Sequence, residues 1–224
     1  MLCLPAAVAI WRLERDMSRS SFLAGLLYVV AVTSAGAQAL PALDCTGPFA
    51  RDANESTVAA AFGAANVTRA NIPIGEGYTE PGTVVFASDD ARRIDILWRD
   101  ATARAQPATV IFRAGSTWRI AISGLPDKPV ALGATLEEIE AMNGKPFSIT
   151  GFGWDLGGRA MGWHDGKLAH PVGGCTLSLG FDHGPNAPPD ALEKVNGDVE
   201  FLSSDAAMRQ VKPVVVEMML NWEP

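Results

Sequence analysis

The stretch LGATLEEIEAMNGKPF, residues 132–147, carries the clearest helix signal in the chain. Thr135 suits an N-cap, and Glu138 three residues later completes a capping box. Apolar residues recur behind this cap at the spacing of one helix face, and Gly144 ends the pattern shortly before a proline. The stretch therefore predicts a short helix that packs one face on a core and leads directly into a strand.

Strand patterns lie on both sides of this helix. Ile94, Ile96 and Trp98 alternate with other residues so that one face of a strand over 94–98 is wholly apolar. Few short helices among many strands predict an α+β domain. Further strands are predicted at residues 83–87, 108–113, 118–122, 175–181, 199–202 and 214–222, and loops at the glycine- or proline-rich residues 64–81 and 184–189.

A second helix start lies 81 residues before the first. Asn54 is its expected N-cap and Gly63 its expected end, and the cap, apolar and glycine positions match those of the helix that starts at Thr135. The match predicts two tandem helix–strand repeats, at residues 50–125 and 130–224. The alternative is coincidence, because many unrelated helices begin at a cap, carry an apolar stripe and end at a glycine.

The order glycine, helix, glycine-x-proline, strand in residues 132–147 resembles a unit of two protein groups. These are the β-lactamase-inhibitor-protein-like fold and the small envelope-assembly lipoproteins of the outer membrane. The resemblance covers residues 54–98 and 132–165, and it lacks the lipid-acceptor cysteine and a second motif proline after Gly63. It implies a curved antiparallel sheet with short helices on one side. The segment GFGWD, residues 151–155, also resembles a recurring motif of uncharacterised exported bacterial proteins.

The N-terminus has the pattern of a cleavable signal peptide. Arginines precede an apolar run over residues 22–32, and small residues up to Ala39 come after it. The run is about half of the ~20 residues that a membrane-spanning helix needs. We therefore expect cleavage after residues 1–39, a periplasmic or secreted protein, and no stable membrane insertion after cleavage. Met17 is an alternative start to Met1.

Cleavage would leave residues 40–224, a length that suits a single exported α+β domain. Of the 18 basic and 25 acidic residues, the signal segment holds three and two, so 15 basic and 23 acidic residues remain, a net charge of −8. A surplus of negative charge repels nucleic acid and anionic membrane surfaces. We expect no nucleic-acid partner.

Cys45 and Cys175 are the two cysteines of the expected mature chain. An even pair in an oxidising compartment predicts a disulfide bond. Neither cysteine has an adjacent basic residue of the kind that activates a catalytic thiol. A bond between positions this far apart would restrict the unfolded chain by about 4–5 kcal/mol on the loop-entropy model.

Motifs for catalysis, metals or cofactors do not stand out. The three histidines, His164, His170 and His183, lie 6 and 13 residues apart, unlike the close pairs of zinc sites. A Gly-x-Ser-x-Gly nucleophile motif is absent from the sequence. We therefore predict no catalytic residue, no metal site and no cofactor. Carboxylates near Asp155 and Asp165 keep a small secreted hydrolase as an alternative, and the histidine region keeps a small-ligand or metal binder.

The richest candidate for binding is the segment from residue 152 to residue 164, where aromatic side chains stand among glycines. Exposed aromatics on a glycine-bent hairpin would suit contact with a protein or a glycan. The alternative is that the tryptophans face the core while the glycines serve turns. We expect Trp154 and Trp163 in the core and Phe152 and Arg159 at the surface. The candidate binding residues are Phe152, Trp154, Asp155, Arg159, Trp163 and His164.

These patterns favour a non-catalytic periplasmic or secreted binding protein, such as an inhibitor or an envelope-assembly factor. It would act through protein–protein contact on the open face of its sheet. The expected partner is another envelope or secreted protein.

Overall fold

The computed structural model describes residues 41–223, so the predicted signal segment lies outside the described residues. Short single-turn helices at residues 47–49, 64–66 and 167–169 accompany the main elements. The main elements, in chain order, are β1 (Ala42–Leu43), α1 (Glu55–Phe62), β2 (Val67–Gly75), β3 (Tyr78–Val85), β4 (Ile94–Asp100), β5 (Ala105–Phe112), β6 (Arg119–Ile120), β7 (Val130–Ala131), α2 (Leu136–Asn143), β8 (Ser148–Thr150), β9 (Ala160–Gly162), β10 (Thr176–Asp182), α3 (Pro189–Lys194), β11 (Glu200–Leu202), α4 (Ala206–Gln210) and β12 (Val214–Asn221).

The largest sheet has six strands in the order β10-β12-β5-β4-β3-β2, and every neighbouring pair in it is antiparallel. The predicted α+β class with an antiparallel sheet is confirmed. Two three-stranded sheets, β1-β6-β7 and β11-β8-β9, contain the strands predicted at residues 118–122 and 199–202. The six-stranded sheet is the framework on which the remaining elements pack.

The six-stranded sheet buries its two faces against different partners. Side chains such as Ile96, Val110 and Leu220 point to the inner face and join the main core. Each of the helices α1 to α4 contributes buried side chains to that same core, so these helices pack on the inner side. The outer face carries a smaller apolar cluster built around Ile72 and Ile111, and its members among residues 41–223 all belong to strands.

Both predicted helix starts are confirmed. The Asn54 side chain accepts hydrogen bonds from two backbone N–H groups of α1, and Thr135 and Glu138 form the expected capping box of α2. Gly63 and Gly144 end the two helices with φ of 86° and 83°, where a side chain would be strained. The short helices α3 and α4 do not stand out in the sequence, because five or six residues give too little periodicity to detect.

The predicted loop over residues 64–81 is wrong: β2 and β3 form a long hairpin there. Its two-residue turn, Glu76-Gly77, has φ of 51° and 77°, the geometry that matches the twist of a hairpin. Pro73 lies on the edge strand, and Pro81 lies before β3 begins to pair with β4 at Gly82. Proline has no backbone N–H to donate. Because neither proline lies opposite a second neighbouring strand, the sheet tolerates both.

The predicted repeats differ in the strands that come after their helices. After α1 the chain adds β2, β3, β4 and β5 to one sheet in succession. After α2 the strands divide between the six-stranded sheet and the sheet β11-β8-β9. The internal duplication stays a prediction.

The predicted Cys45–Cys175 disulfide is present and buried. It joins the segment after β1 to the residue before β10, with the two Cα atoms 6.0 Å apart. The Cys45 N–H also donates to the Val172 carbonyl at 2.9 Å, so the two segments are held by backbone as well as sulfur. Within residues 41–223, every helix is too short or too polar to cross a membrane.

Replacing both cysteines, as Cys45→Ala with Cys175→Ala, should destabilise the protein by about 3–5 kcal/mol, because the unfolded chain regains the entropy of a long loop. Urea unfolding of the wild type and the double variant measures the difference, and adding reductant to the wild type should bring the two midpoints together. Equal midpoints for the oxidised wild type and the variant would contradict this.

An ion cluster fixes the start of α1 to the inner face of the hairpin. Glu55 accepts from Arg69 Nη2 at 2.7 Å and from Thr83 Oγ1 at 2.9 Å, and Arg104 lies 3.4 Å away. Thr83 is fully buried and also accepts from Trp98 Nε1 at 2.8 Å. The hydrogen bond from Arg69 is the main reason that the pKa of Glu55 lies below its ordinary value, with Thr83 and Arg104 adding to it against the effect of burial.

This lowered pKa makes the contribution of Glu55 depend on pH. The carboxylate stabilises the fold above its ordinary pKa near 4.5, and the stabilisation is lost as the pH falls through the lowered folded value. Glu55→Gln should therefore cost less than about 1 kcal/mol at pH 7, since Arg69 is largely exposed. Unfolding curves from pH 7 to pH 3 should show the difference from wild type disappearing at the acid end. A difference that grows on acidification would refute the assignment.

Candidate functional site

The glycines of residues 151–158 allow close backbone contact and do not leave the segment loose. The Phe152 N–H donates to the Val195 carbonyl at 2.8 Å, and the Phe181 N–H donates to the Gly158 carbonyl at 2.8 Å. Gly158 has φ of 71°, and a Cβ on it would collide with the Phe181 backbone. The loop is therefore tied by backbone hydrogen bonds to its neighbours at both ends.

The aromatic residues of this segment turn away from solvent. Phe152 is only 6 % exposed and packs edge-on against the His183 ring, so the expectation that Phe152 lies at the surface is wrong. The reason is that Gly151 and the glycines after it let the backbone approach Val195 closely enough to bury the ring.

The two tryptophans are both only partly buried: Trp163 packs against the main core as expected, while the expectation that Trp154 lies in the core is wrong. Trp163 packs on Phe147 at 5.0 Å between ring centroids and donates Nε1–H to the Leu177 carbonyl at 2.9 Å. Trp154 is half-buried and donates Nε1–H to the Gly151 carbonyl at 3.0 Å, which closes its own loop. Residues 152–164 leave the side chains of Asp155, Leu156, Met161 and His164 exposed, with Met161 at 59 %.

A groove of about 360 Å³, the outer groove, crosses the outer face of the six-stranded sheet. Leu97, Ile111 and Met219 form its floor, one from each of the strands β4, β5 and β12. One wall is the tip of the β2–β3 hairpin at residues 73–75. The other wall comes from the glycine-rich loop, at residues 155–159.

Both walls of the outer groove carry an exposed aliphatic side chain at the rim. Ile74 on the hairpin is 43 % exposed, and Leu156 on the opposite wall is 49 % exposed. The hairpin is drawn over the sheet by Arg113, whose Nη2 donates to the Pro73 carbonyl at 2.6 Å. Gly82 allows Ile72 to pack closely over β3, because any side chain there would overlap Ile72 and the Ile96 carbonyl.

A chain of alternating charges borders the floor. Arg93 binds Asp95 at 2.9 Å, Arg113 bridges Asp95 and Glu217, and Arg159 binds Glu217 at 2.5 Å. The carboxylates lie deepest, with side-chain exposures of 3 % for Asp95 and 18 % for Glu217. The guanidinium groups lie outside them, at 28–33 %. Arg113, Arg159 and Glu217 of this network line the groove, while Arg93 and Asp95 do not.

The predicted binding residues divide between two places. Asp155 and Arg159 line the outer groove, while His164 lies in the turn after β9 and shares a 2.9 Å hydrogen bond with Ser148. The acids proposed for a hydrolase, Asp155 and Asp165, are not brought together, since Asp165 comes after His164 in that turn and does not line the groove.

The histidines do not converge. His183 faces Phe152, and His170 lines a separate cavity of about 390 Å³ together with Arg51 and Trp222. The buried Nε1 of Trp222 has no hydrogen-bond partner among residues 41–223. No group of three or more His, Cys, Asp or Glu side chains within the described chain is arranged to hold a metal ion.

The sequence patterns missed most of the groove, including Leu156, Ile74 and the arginine–carboxylate chain. A signal did exist for the chain: Asp95, Arg113 and Glu217 are charged residues at the outward positions or ends of strongly apolar strands. Alternation placed them on one face, but their cross-strand neighbours depend on strand order, which the pattern does not contain.

No family model matches this chain, and comparisons with curated proteins and with solved structures find no significant similarity. The resemblance to the inhibitor fold therefore stays a prediction, and the groove itself is the basis for a functional proposal.

The loss of stability on truncating Phe152 or Trp154 to alanine should be larger for the more deeply buried ring. Phe152→Ala removes a ring from the core and should cost about 3–5 kcal/mol. Trp154→Ala removes a half-buried ring and should cost about 1–2 kcal/mol, because less apolar surface returns to water. Chemical denaturation of both variants measures the costs. The reverse order would mean that Trp154 is the main anchor of the loop.

Proposed function

We propose that this chain is an exported, non-catalytic binding protein that holds a segment of another envelope or secreted protein in the outer groove. An inhibitor or an envelope-assembly factor would act in this way. The observation that carries the proposal is the groove itself, with an apolar floor, arginines beside it and an exposed aliphatic side chain on each rim.

The composition of the groove supports contact with a protein. Methionine and arginine are enriched in protein interfaces, and Met219, Arg113 and Arg159 line this groove. Leu156 and Ile74 are large aliphatic residues held in water at considerable exposure, where a partner would cover them. The volume of about 360 Å³ suits a few side chains of a partner.

Both walls of the groove are held in place by hydrogen bonds within the chain itself. Arg113 holds the hairpin tip through the Pro73 carbonyl, and backbone hydrogen bonds hold the loop around Phe152 and Gly158. A surface that is already ordered loses little conformational entropy on binding, so more of the contact energy appears as affinity.

The disulfide bond of the domain supports the proposal that the protein is exported. Structural disulfides are typical of oxidising compartments, and the buried Cys45–Cys175 bond is of this kind. Together with the signal pattern of residues 1–39, it favours a periplasmic or secreted location.

A charge placed on the rim should abolish partner capture. When wild type and variant are each immobilised on beads, Leu156→Asp should recover at least tenfold less of the bound envelope or secreted proteins, since an aspartate cannot be buried against an apolar partner. Quantitative mass spectrometry of the eluates measures the recovery.

Val199→Asp is the matched control, because Val199 is also an exposed aliphatic residue, at 55 %, and does not line the groove. It should capture the same proteins as wild type. Equal capture by all three proteins, or equal loss in both variants, would rule out the outer groove as the contact surface.

A further inference from the structure

We infer that the outer groove recognises an acidic side chain flanked by aliphatic residues in an extended peptide segment, and that Arg159 is the residue that binds the carboxylate. The inference rests on the proposed function and names the chemistry of its partner. The observation behind it is the set of hydrogen-bond donors that Arg159 leaves unused.

Arg159 does not use all of its guanidinium N–H groups for hydrogen bonds within residues 41–223. Its Nη1 donates to Glu217 Oε1 at 2.5 Å and lies 3.9 Å from the Met219 sulfur. Within residues 41–223, its Nε and Nη2 have no hydrogen-bond partner, which leaves three of the five guanidinium N–H groups open. The side chain is only 28 % exposed and lines the groove. A partly buried guanidinium with one open edge is suited to a bidentate carboxylate.

Arg113 cannot serve in the same way, although it lies in the same groove. Its Nη1 binds Asp95, its Nη2 binds the Pro73 carbonyl, and its Nε lies 3.4 Å from Glu217. Each of its nitrogens therefore has a protein partner. Arg113 holds the groove together, and Arg159 is left to face a ligand.

The position of Arg159 is fixed by its surroundings. Glu217 anchors one corner of the guanidinium, and Gly180 on β10 lies beneath it, where a Cβ would approach Nη1 to 3.4 Å. The bare backbone at Gly180 leaves room for the guanidinium group beside the sheet, and the side chain lines the groove. A donor held in place before binding costs less entropy to engage.

The groups beside Arg159 define the residues that flank the acid. Leu156 lies in the same loop, and Met219 contacts the guanidinium from the floor. Because Leu156 and Met219 line the same groove as Arg159, we assign the ligand as an internal Asp or Glu between aliphatic residues and not as a chain end. Asp155 is an exposed carboxylate on the same wall, and it weakens the attraction without removing the donors.

The test uses four synthetic peptides and the full domain with its disulfide intact. The first pair is acetyl-Ala-Leu-Glu-Leu-Ala-amide and the same peptide with Gln in place of Glu. The second pair is acetyl-Ala-Leu-Leu with a free carboxylate or with a terminal amide. The readout is the shift of the Met219 methyl signal in NMR titrations, which also gives each Kd.

The Glu peptide should shift the Met219 signal and bind about tenfold more tightly than the Gln peptide, the usual gain from a hydrogen bond to a charged group. Arg159→Gln should remove this preference, and Arg159→Lys should keep only part of it, because lysine lacks the planar fork. Asp155→Asn should tighten binding of the Glu peptide severalfold. Arg92→Gln is the matched control, since Arg92 pairs with Asp89 outside the groove and should leave the preference unchanged.

Two results would overturn the assignment of Arg159 as the carboxylate-binding residue, while the proposed function is tested separately by the comparison of Leu156→Asp with Val199→Asp. One is equal binding of the Glu and Gln peptides, or no shift from either. The other is a preference that survives Arg159→Gln. Tighter binding of the free chain end than of the Glu peptide would overturn the assignment to an internal acid. Thermal melts of each variant show whether a lost preference reflects lost folding.

Discussion

Arg113, directly after β5, reaches three other parts of the outer face at once. It meets Asp95 of β4, Glu217 of β12 and the Pro73 carbonyl of the hairpin. A planar guanidinium with five donors can satisfy several acceptors in fixed directions, which a lysine could not. The hairpin wall is held by this side chain, and Glu217, which Arg113 also contacts, in turn binds Arg159. Removing it would leave the nearly buried Asp95 with Arg93 as its one remaining ion-pair partner within residues 41–223.

The two faces of the six-stranded sheet are stabilised by different kinds of interaction. The inner face buries aliphatic and aromatic side chains against the helices, where the stabilisation scales with contact area. The outer face has only a small apolar cluster and completes its coverage with ion pairs and a folded-over hairpin. A face covered in this partial way leaves a groove, and the groove is where the domain can meet a partner.

Local patterns predicted several elements well because their causes are local. The caps at Asn54 and Thr135 and the stops at Gly63 and Gly144 depend on backbone groups within four residues. The strand over residues 94–98 is evident from simple alternation. The hairpin over residues 67–85 was missed because its prolines look like loop residues, and only the sheet order shows that they need no second partner.

The sequence by itself determined the α+β class, both capped helices, most of the long strands and the Cys45–Cys175 pair. Each of these depends on spacing, capping chemistry or cysteine count. Tertiary structure alone decided that Phe152 is buried, that Leu156 is exposed and that Arg159 faces a groove. The physical reason is that glycines allow a backbone to bend in either direction. Which side chains of a glycine-rich loop face the core is therefore set by the backbone groups that the loop packs against. In this protein those groups belong to Val195 and Phe181, which lie far along the chain from the segment that they orient.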